Sequence, residues 1–129
     1  MKKKKGVDGK LDLAWSKLVK LKAGMKCEIP NCRKTTLNSH HIYSRSKKST
    51  RWETMNGICL CVGHHTFSSK FSAHKTPLEF TDWLRAYKGS DYMELRTIKA
   101  HQTSKLHPFE KELLLQELNK EIKKLEDEI

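Results

Sequence analysis

Residues 27–65 read CEIPNCRKTTLNSHHIYSRSKKSTRWETMNGICLCVGHH, and this stretch decides the fold. It holds all four cysteines and four of the seven histidines in less than a third of the 129 residues. The cysteines and histidines form spaced groups, separated by turn-forming proline, asparagine and glycine. Such clustering indicates a metal-binding domain, because cysteines in a cytosolic chain more often bind metal or stay reduced than form disulfides.

Two of these groups have the spacing of zinc ligands. Four residues separate Cys27 from Cys32, and two separate Cys61 from His64, so each pair fits a tight knuckle. The 28 residues between the knuckles form a closed loop. The set matches a structural tetrahedral zinc site with three cysteines and one histidine.

The second knuckle leaves two alternatives open. Cys59 would replace Cys61, although it lies along the predicted strand and away from the knuckle. His65 would replace His64 at a less regular spacing. Four free cysteines buried as small apolar side chains are the alternative to any metal. Metal binding would add on the order of 10 kcal/mol or more to the folding of a segment with little other core.

Outside this stretch the pattern is mostly helical. Apolar residues recur at helical spacing before Gly24, and the segment Thr76-Pro77-Leu78-Glu79 combines a capping residue, a proline at the first helical position and a glutamate three residues after the cap. Gly89 ends that helix. The predicted elements are helices at 11–22, from Gly63 or His64 toward Phe71, at 77–88, 91–101 and 108–129, and strands at 37–43 and 57–60.

One domain accounts for the whole length. We divide residues 1–129 into a basic flexible arm (1–10), a helix (11–24), a zinc-stapled core (27–75) and C-terminal helices (76–129). The fold class is therefore α+β and mostly helical, with helices flanking the core on both sides.

The charge is basic and unevenly distributed. Lys and Arg number 26 against 15 Asp and Glu, a net charge of +11. Residues 107–129 hold seven acidic residues and four lysines, net −3, which leaves +14 on residues 1–106. Lys and Arg that neutralise phosphates supply most non-specific affinity for nucleic acid, so DNA is the expected partner.

A membrane association is not expected. The lysines at residues 2–5 are followed by Gly6-Val7-Asp8-Gly9-Lys10, where a signal peptide needs an apolar run, and no transmembrane run follows. The expected location is the cytoplasm.

Several spaced elements together resemble the HNH family of nucleases, which have the ββα-metal fold. They are Cys27-x4-Cys32, then Ser39-His40-His41-Ile42, then Asn56-Gly57-Ile58-Cys59-Leu60-Cys61-Val62-Gly63-His64-His65. His41-Ile42-Tyr43-Ser44-Arg45, Thr50-Arg51-Trp52 and Thr76-Pro77-Leu78-Glu79-Phe80-Thr81-Asp82-Trp83 are similar to the small phage and prophage branch of that family. The resemblance covers about residues 27–87. It implies that the cytoplasm would be that of the bacterial host if the chain is encoded by a phage.

The resemblance implies a role for each remaining motif residue. It makes His41 the general base that activates water, and His40 a ligand of a catalytic divalent metal together with His65. It implies that Asn56 fixes the loop that orients the base. The core would then be a ββα-metal core, and cleavage would leave 5′-phosphate and 3′-hydroxyl ends.

The catalytic metal is expected to have two protein ligands, completed by water and phosphate. Some relatives carry a further histidine one turn after the final one, where this chain has Ser69; His74 is the nearest substitute and is expected to lie too far along the chain. Many relatives have Asp at the position of His40, and imidazole suits softer metals. The expected cation is therefore Mg²⁺, Mn²⁺, Ni²⁺, Co²⁺ or Zn²⁺, in addition to the structural Zn²⁺.

The loop between the strands supplies the candidate DNA contacts, with residues 2–5 as a further basic arm. Charge of this kind holds phosphates without reading sequence. A solvated basic face is the alternative, and Trp52 is expected to pack rather than to stack on bases. The candidate contacts are Arg45, Lys47, Lys48 and Arg51.

The leading hypothesis is a metal-dependent HNH endonuclease that nicks or cuts DNA. A zinc-stapled nucleic-acid-binding accessory protein without activity is the alternative from another class, and a nuclease acting on RNA or branched DNA is the third. The last helix offers a seam for a homodimer, with packing on the chain's own core as the competing interpretation. That seam consists of Leu115, Leu118, Ile122 and Leu125.

Overall fold

A computed structural model describes residues 6–102 and 105–128. The arm at residues 2–5 lies outside the described residues. The chain is mixed α/β, as predicted, and a π-helical turn, Gly63–Phe67, follows the second strand. The elements are α1 (Val7–Lys22), β1 (Leu37–His41), β2 (Gly57–Cys61), α2 (Pro77–Lys88), α3 (Ser90–Ala100) and α4 (Pro108–Asp127).

The strands β1 and β2 pair antiparallel, with His41 opposite Gly57 and Leu37 opposite Cys61. Side chains alternate between the two faces of a strand. Accordingly, Cys59 packs into one apolar cluster and its neighbours Ile58 and Leu60 pack into another. The small sheet therefore separates two cores.

The first core lies between α1, α4 and the sheet. Leu11, Trp15 and Leu18 of α1 are almost fully buried, and Leu118 and Ile122 of α4 pack against them. The apolar seam of α4 is thus covered by α1 of the same chain. The prediction of a homodimer through that seam is not supported, because its residues, which are Leu115, Leu118, Ile122 and Leu125, belong to the chain's own core.

The start of α1 differs from the prediction. The helix begins at Val7, within the segment expected to be a flexible arm. Val7 packs against the first core, and Lys111 of α4 bonds to Asp8 at 2.8 Å. These contacts with α4, remote in sequence, extend the helix beyond its apolar repeat.

The second core joins β2 to α2 and to the first cysteine knuckle. Its buried residues include Cys27, Ile58, Leu60, Phe80 and Leu84. Pro77 begins α2 as expected, but Thr76 does not cap it: the Thr76 hydroxyl donates to the Ser72 carbonyl at 2.9 Å instead. The start of α2 is therefore fixed to the loop before it.

The helix expected to run from Gly63 or His64 toward Phe71 stops early. The π-helical turn ends at Phe67, and the Ser68 hydroxyl accepts the N–H of Phe71 at 3.2 Å, which turns the chain back. The returning segment bonds through its backbone to His65, whose carbonyl accepts the His74 N–H at 3.0 Å. This reversal brings His74 beside the turn.

The helices in residues 6–102 and 105–128 all fall short of the length and apolar character needed to cross a membrane.

Candidate functional site

The two knuckles bring Cys27, Cys32, Cys61 and His64 together, with their ligand atoms within 4.8 Å of one another. The Cys32 and Cys61 sulfurs are 3.8 Å apart, and His64 Nδ1 lies 3.3 Å from the Cys61 sulfur and 3.5 Å from the Cys27 sulfur. A tetrahedron with zinc–sulfur bonds of about 2.3 Å has edges of about 3.8 Å between sulfurs and about 3.6 Å from sulfur to nitrogen. The residues therefore fit zinc.

Local backbone geometry makes the first knuckle. Asn31 has a φ of 64°, in the left-handed region that asparagine tolerates, and the Cys32 N–H donates to the Ile29 carbonyl at 3.2 Å. Glu28 ties the knuckle to β2, because its carboxylate accepts the Cys59 N–H at 2.7 Å and its own N–H donates to the Cys59 carbonyl.

The positions of Cys59 and His65 argue against both as ligands in this cluster. Cys59 is fully buried against α1 rather than near the knuckles, and burial raises the pKa of its thiol to about 11. His65 lies in a different cluster. Burial also raises the pKa of Cys27 to about 12, so a metal must displace its proton.

A second cluster consists of His40, His65 and His74, each offering a ligand nitrogen within 4.8 Å of the others. The expectation that His74 lies too far along the chain is wrong, because the reversal after the π-helical turn returns it to His65. The Nε2 atoms of His65 and His74 are 3.1 Å apart, close to the edge of about 3.3 Å expected for imidazoles around a tetrahedral metal. These residues fit a divalent cation with imidazole ligands.

The surroundings of this cluster orient its histidines and lower the pKa values of two of them. Asn38 Nδ2 lies 3.1 Å from His65 Nδ1. If His65 held a metal through Nε2, its Nδ1–H would donate a hydrogen bond to the Asn38 side-chain carbonyl oxygen after a half-turn of the amide. Burial, with the nearby His65 and His74 charges, lowers the pKa of His40 to about 3, and burial likewise lowers the pKa of His65. Both imidazoles are therefore neutral at physiological pH.

His41 is not a member of the three-histidine cluster and is held on two sides. Its Nε2–H donates to the Arg51 carbonyl at 2.9 Å, and its ring stacks on Trp15 with centroids 3.8 Å apart and planes at 9°. The pKa of His41 is lowered, chiefly by burial, so the ring is neutral near pH 7. With the proton on Nε2, Nδ1 is the basic nitrogen.

Asn56 acts on the segment that follows β1. It is fully buried, its Oδ1 accepts the Tyr43 N–H at 2.8 Å, and its Nδ2 donates to the Tyr43 carbonyl at 3.0 Å. Its own carbonyl accepts the Ile42 N–H. Asn56 therefore fixes the backbone immediately after His41.

An open cleft of about 470 Å³ joins the histidines, its walls including His40, His41, His65, His74 and Arg45. The cleft contains both the three-histidine cluster and the separately held imidazole, and Arg45 contributes a positive charge to its wall. Such a site can bind a phosphate near a metal and remove a proton from water.

The basic residues of the loop differ in exposure. The Arg45 side chain is 65% exposed, whereas that of Arg51 is 15% exposed and bonds to Asp12. Lys47 and Lys48 are exposed and border a separate surface cavity. Trp52 is buried, as expected.

Sequence reasoning missed residues that reach the site from outside the motif. Trp15 and Asp12 lie on α1, 26 or more positions before His41, and no local pattern marks them. The sequence marked Asn38 as a turn residue, whereas it lies within β1 opposite Leu60. The signal for His74 is the serine-rich turn at 68–72, which stops the helix.

Comparisons with known proteins identify no relative: no family model, no curated protein and no solved structure matches the chain. The geometry of these residues and their spacing in the sequence are therefore the guides to function.

Proposed function

We propose that the chain is a metal-dependent endonuclease of the HNH type, which hydrolyses DNA phosphodiester bonds. The observation that carries this proposal is the shared cleft, in which three histidines close enough to hold a metal lie beside a neutral imidazole. The Nδ1 atom of that imidazole has no hydrogen-bond partner among residues 6–102 and 105–128. A protein that only binds nucleic acid needs neither feature.

The chain's own residues have separable roles in this proposal. His41 accepts a proton from water at Nδ1, and the Arg51 carbonyl keeps Nε2 protonated so that Nδ1 remains the base. A divalent cation on His40, His65 and His74 would supply charge to neutralise the phosphate and the leaving oxygen.

Other residues would hold the substrate and the scaffold. Arg45 lines the cleft and is exposed enough to contact a phosphate, and Lys47 and Lys48 extend the basic surface. The zinc site on the two knuckles would hold the end of β2 and the π-helical turn in place. His64 and His65 are adjacent there, so the structural site fixes a residue of the catalytic one.

The experiment is a cleavage assay on supercoiled, linear and branched DNA and on RNA, each with Mg²⁺, Mn²⁺, Ni²⁺, Co²⁺ or Zn²⁺. The His41→Ala variant should cut about a hundredfold more slowly or worse, the range for loss of a general base. Its zinc content and DNA affinity should stay close to those of the wild type.

The matched control is His107→Asn, which changes an exposed histidine that precedes α4 and keeps a residue suited to a helix start. It should cut at the wild-type rate. DNA binding without cleavage under every metal would favour the accessory-protein alternative, and cleavage of RNA or of branched DNA alone would change the substrate class.

A further inference from the structure

Helix α1 lies outside the cysteine and histidine motif, yet one of its carboxylates is bonded to the loop that holds His41. The Asp12 Oδ1 atom accepts the Arg51 Nε–H at 3.0 Å and the Trp52 Nε1–H at 2.8 Å. The Asp12 Oδ2 atom accepts from Arg51 Nη2 at 2.8 Å and from Arg45 Nη2 at 3.1 Å. Both carboxylate oxygens are therefore used.

The bonded side chains flank one peptide group. The Arg51 carbonyl belongs to the peptide between Arg51 and Trp52, and both of these side chains bond to the same carboxylate. That carbonyl accepts the Nε2–H of His41 at 2.9 Å. Asp12 thereby fixes the peptide from both ends, and the peptide fixes the edge of the imidazole.

The same face of α1 also supports the flat side of the ring. Trp15 follows Asp12 by three positions, close to one helical turn, so the two side chains lie on one face. The Trp15 ring stacks on His41, and its Nε1–H donates to the Glu53 carbonyl at 2.7 Å. Gly57 lies opposite His41 in the sheet and leaves room for the Trp15 ring, because a Cβ at this position would lie 2.8 Å from that ring.

These contacts also give Arg45 and Arg51 different exposures to solvent. Arg51 directs its guanidinium into the Asp12 carboxylate and is largely buried, whereas Arg45 makes one such bond and is mostly exposed. Arg51 is thus poorly placed to bind phosphate, although its sequence position suggested that role. Its main-chain carbonyl, rather than its charge, faces the proposed base.

We propose that Asp12 is a positioning residue for the reaction: acting through the Arg51–Trp52 peptide, it holds His41 with Nε2 protonated and Nδ1 directed to the cleft. This inference rests on the proposed nuclease function. It makes α1 a part of the active-site framework rather than only a packing helix.

The test compares Asp12→Asn with Asp8→Asn. Both variants remove one negative charge from α1, but Asp8 bonds to Lys111 and not to the loop. Asp12→Asn should lower kcat by roughly ten- to a hundredfold, the range for a misplaced catalytic group, with KM for DNA nearly unchanged. Asp8→Asn should leave both parameters unchanged.

A second readout does not depend on cleavage. In the wild type and in Asp8→Asn, the His41 Nε2 proton should give a slowly exchanging imidazole resonance in the NMR spectrum, because it is bonded to a carbonyl. In Asp12→Asn that resonance should broaden or disappear, whereas the zinc content and the dispersion of the amide spectrum stay the same. Asp12→Glu, which keeps the carboxylate, should recover part of the lost kcat.

If Asp12→Asn does not fold, Trp52→Phe replaces it, since it removes the indole donor and keeps an aromatic ring in the core. A wild-type kcat and a preserved His41 resonance in the folded variant would overturn the inference while leaving the nuclease proposal intact. A wild type that cleaves no nucleic acid would instead overturn the nuclease function, and the positioning role in catalysis would fall with it.

Discussion

The two metal-ligand clusters are adjacent in the chain, since His64 belongs to one and His65 to the other, yet their surroundings differ. The cysteine cluster lies mostly in the second core, and its four residues would complete a tetrahedron around zinc. The three-histidine cluster lies on an open cleft, and a metal held there would have coordination positions left for water or substrate. Closed thiolate sites stabilise folds, whereas open imidazole sites perform chemistry. One π-helical turn therefore supplies a residue to each cluster.

The largest effect should come from the closed cluster. Cys61→Ser, or chelation that removes zinc, should unfold the chain, because zinc binding contributes on the order of 10 kcal/mol to small zinc domains. Elemental analysis and thermal melting measure this. Cys59→Ala is the control and should remain folded with one zinc. A zinc-free protein that melts at the same temperature as the zinc-loaded protein would show that the cysteine cluster has no structural role that sets it apart from the three-histidine cluster.

Salt should weaken the binding of DNA at the open cleft. With about five phosphate contacts, DNA affinity should fall by two to three decades between roughly 50 and 200 mM salt. Arg45→Met should reduce the slope of log affinity against log salt by about one, whereas Arg51→Met should barely change it, because Arg51 is bonded to Asp12. Fluorescence anisotropy at several salt concentrations gives both slopes. Equal changes in slope for Arg45→Met and Arg51→Met would contradict the assignment of phosphate contact to Arg45 and not to Arg51.

The three-histidine cluster should lose metal affinity in His74→Ala. Removing one of three ligands should weaken binding of the catalytic metal by roughly ten- to a hundredfold, and added Mn²⁺ should recover part of the activity, as for His40→Ala and His65→Ala. Ser69→Ala, at the position one turn after His65, is the control and should have no effect. Calorimetric titration of zinc-loaded protein with Mn²⁺ or Ni²⁺ measures the affinity. An unchanged affinity in His74→Ala would leave two protein ligands, as the sequence suggested.

The last prediction concerns the stability of the protein in acid. The pKa of His40 is about 3 in the folded state, below its ordinary value near 6.5, so the unfolded chain binds a proton there first as pH falls. The contribution of neutral His40 to the free energy of unfolding is therefore complete above about pH 6.5. It is lost progressively as the pH falls toward 3, by less than about 1.4 kcal/mol per pH unit. Urea unfolding of protein without metal on the three histidines should show a shallower pH slope for His40→Gln than for the wild type. Parallel slopes would contradict this.

The sequence predicted the parts of the molecule that local patterns specify. The cysteine spacing indicated the closed cluster because a knuckle is a short-range structure. Most helices followed from periodicity, and the strands followed from short apolar segments between turn residues. The third histidine was missed although the serines at 68–72 mark a turn, since its position depends on which hydroxyl bonds reverse the chain after Phe67. The Asp12 contacts were equally hidden, because they join residues about 40 positions apart and depend on how α1 packs.

The pairing of α1 with α4 has a consequence for synthesis of the chain. Helix α1 is synthesised before α4, so the part of its apolar face that packs on α4 stays uncovered until α4 has been made. We expect Trp15 and Asp12 to hold the loop around His41 most firmly once α4 has packed against their helix. The proposed cutting site would therefore be completed only after α4 has been synthesised, and a chain that ends before α4 would have a less firmly held base.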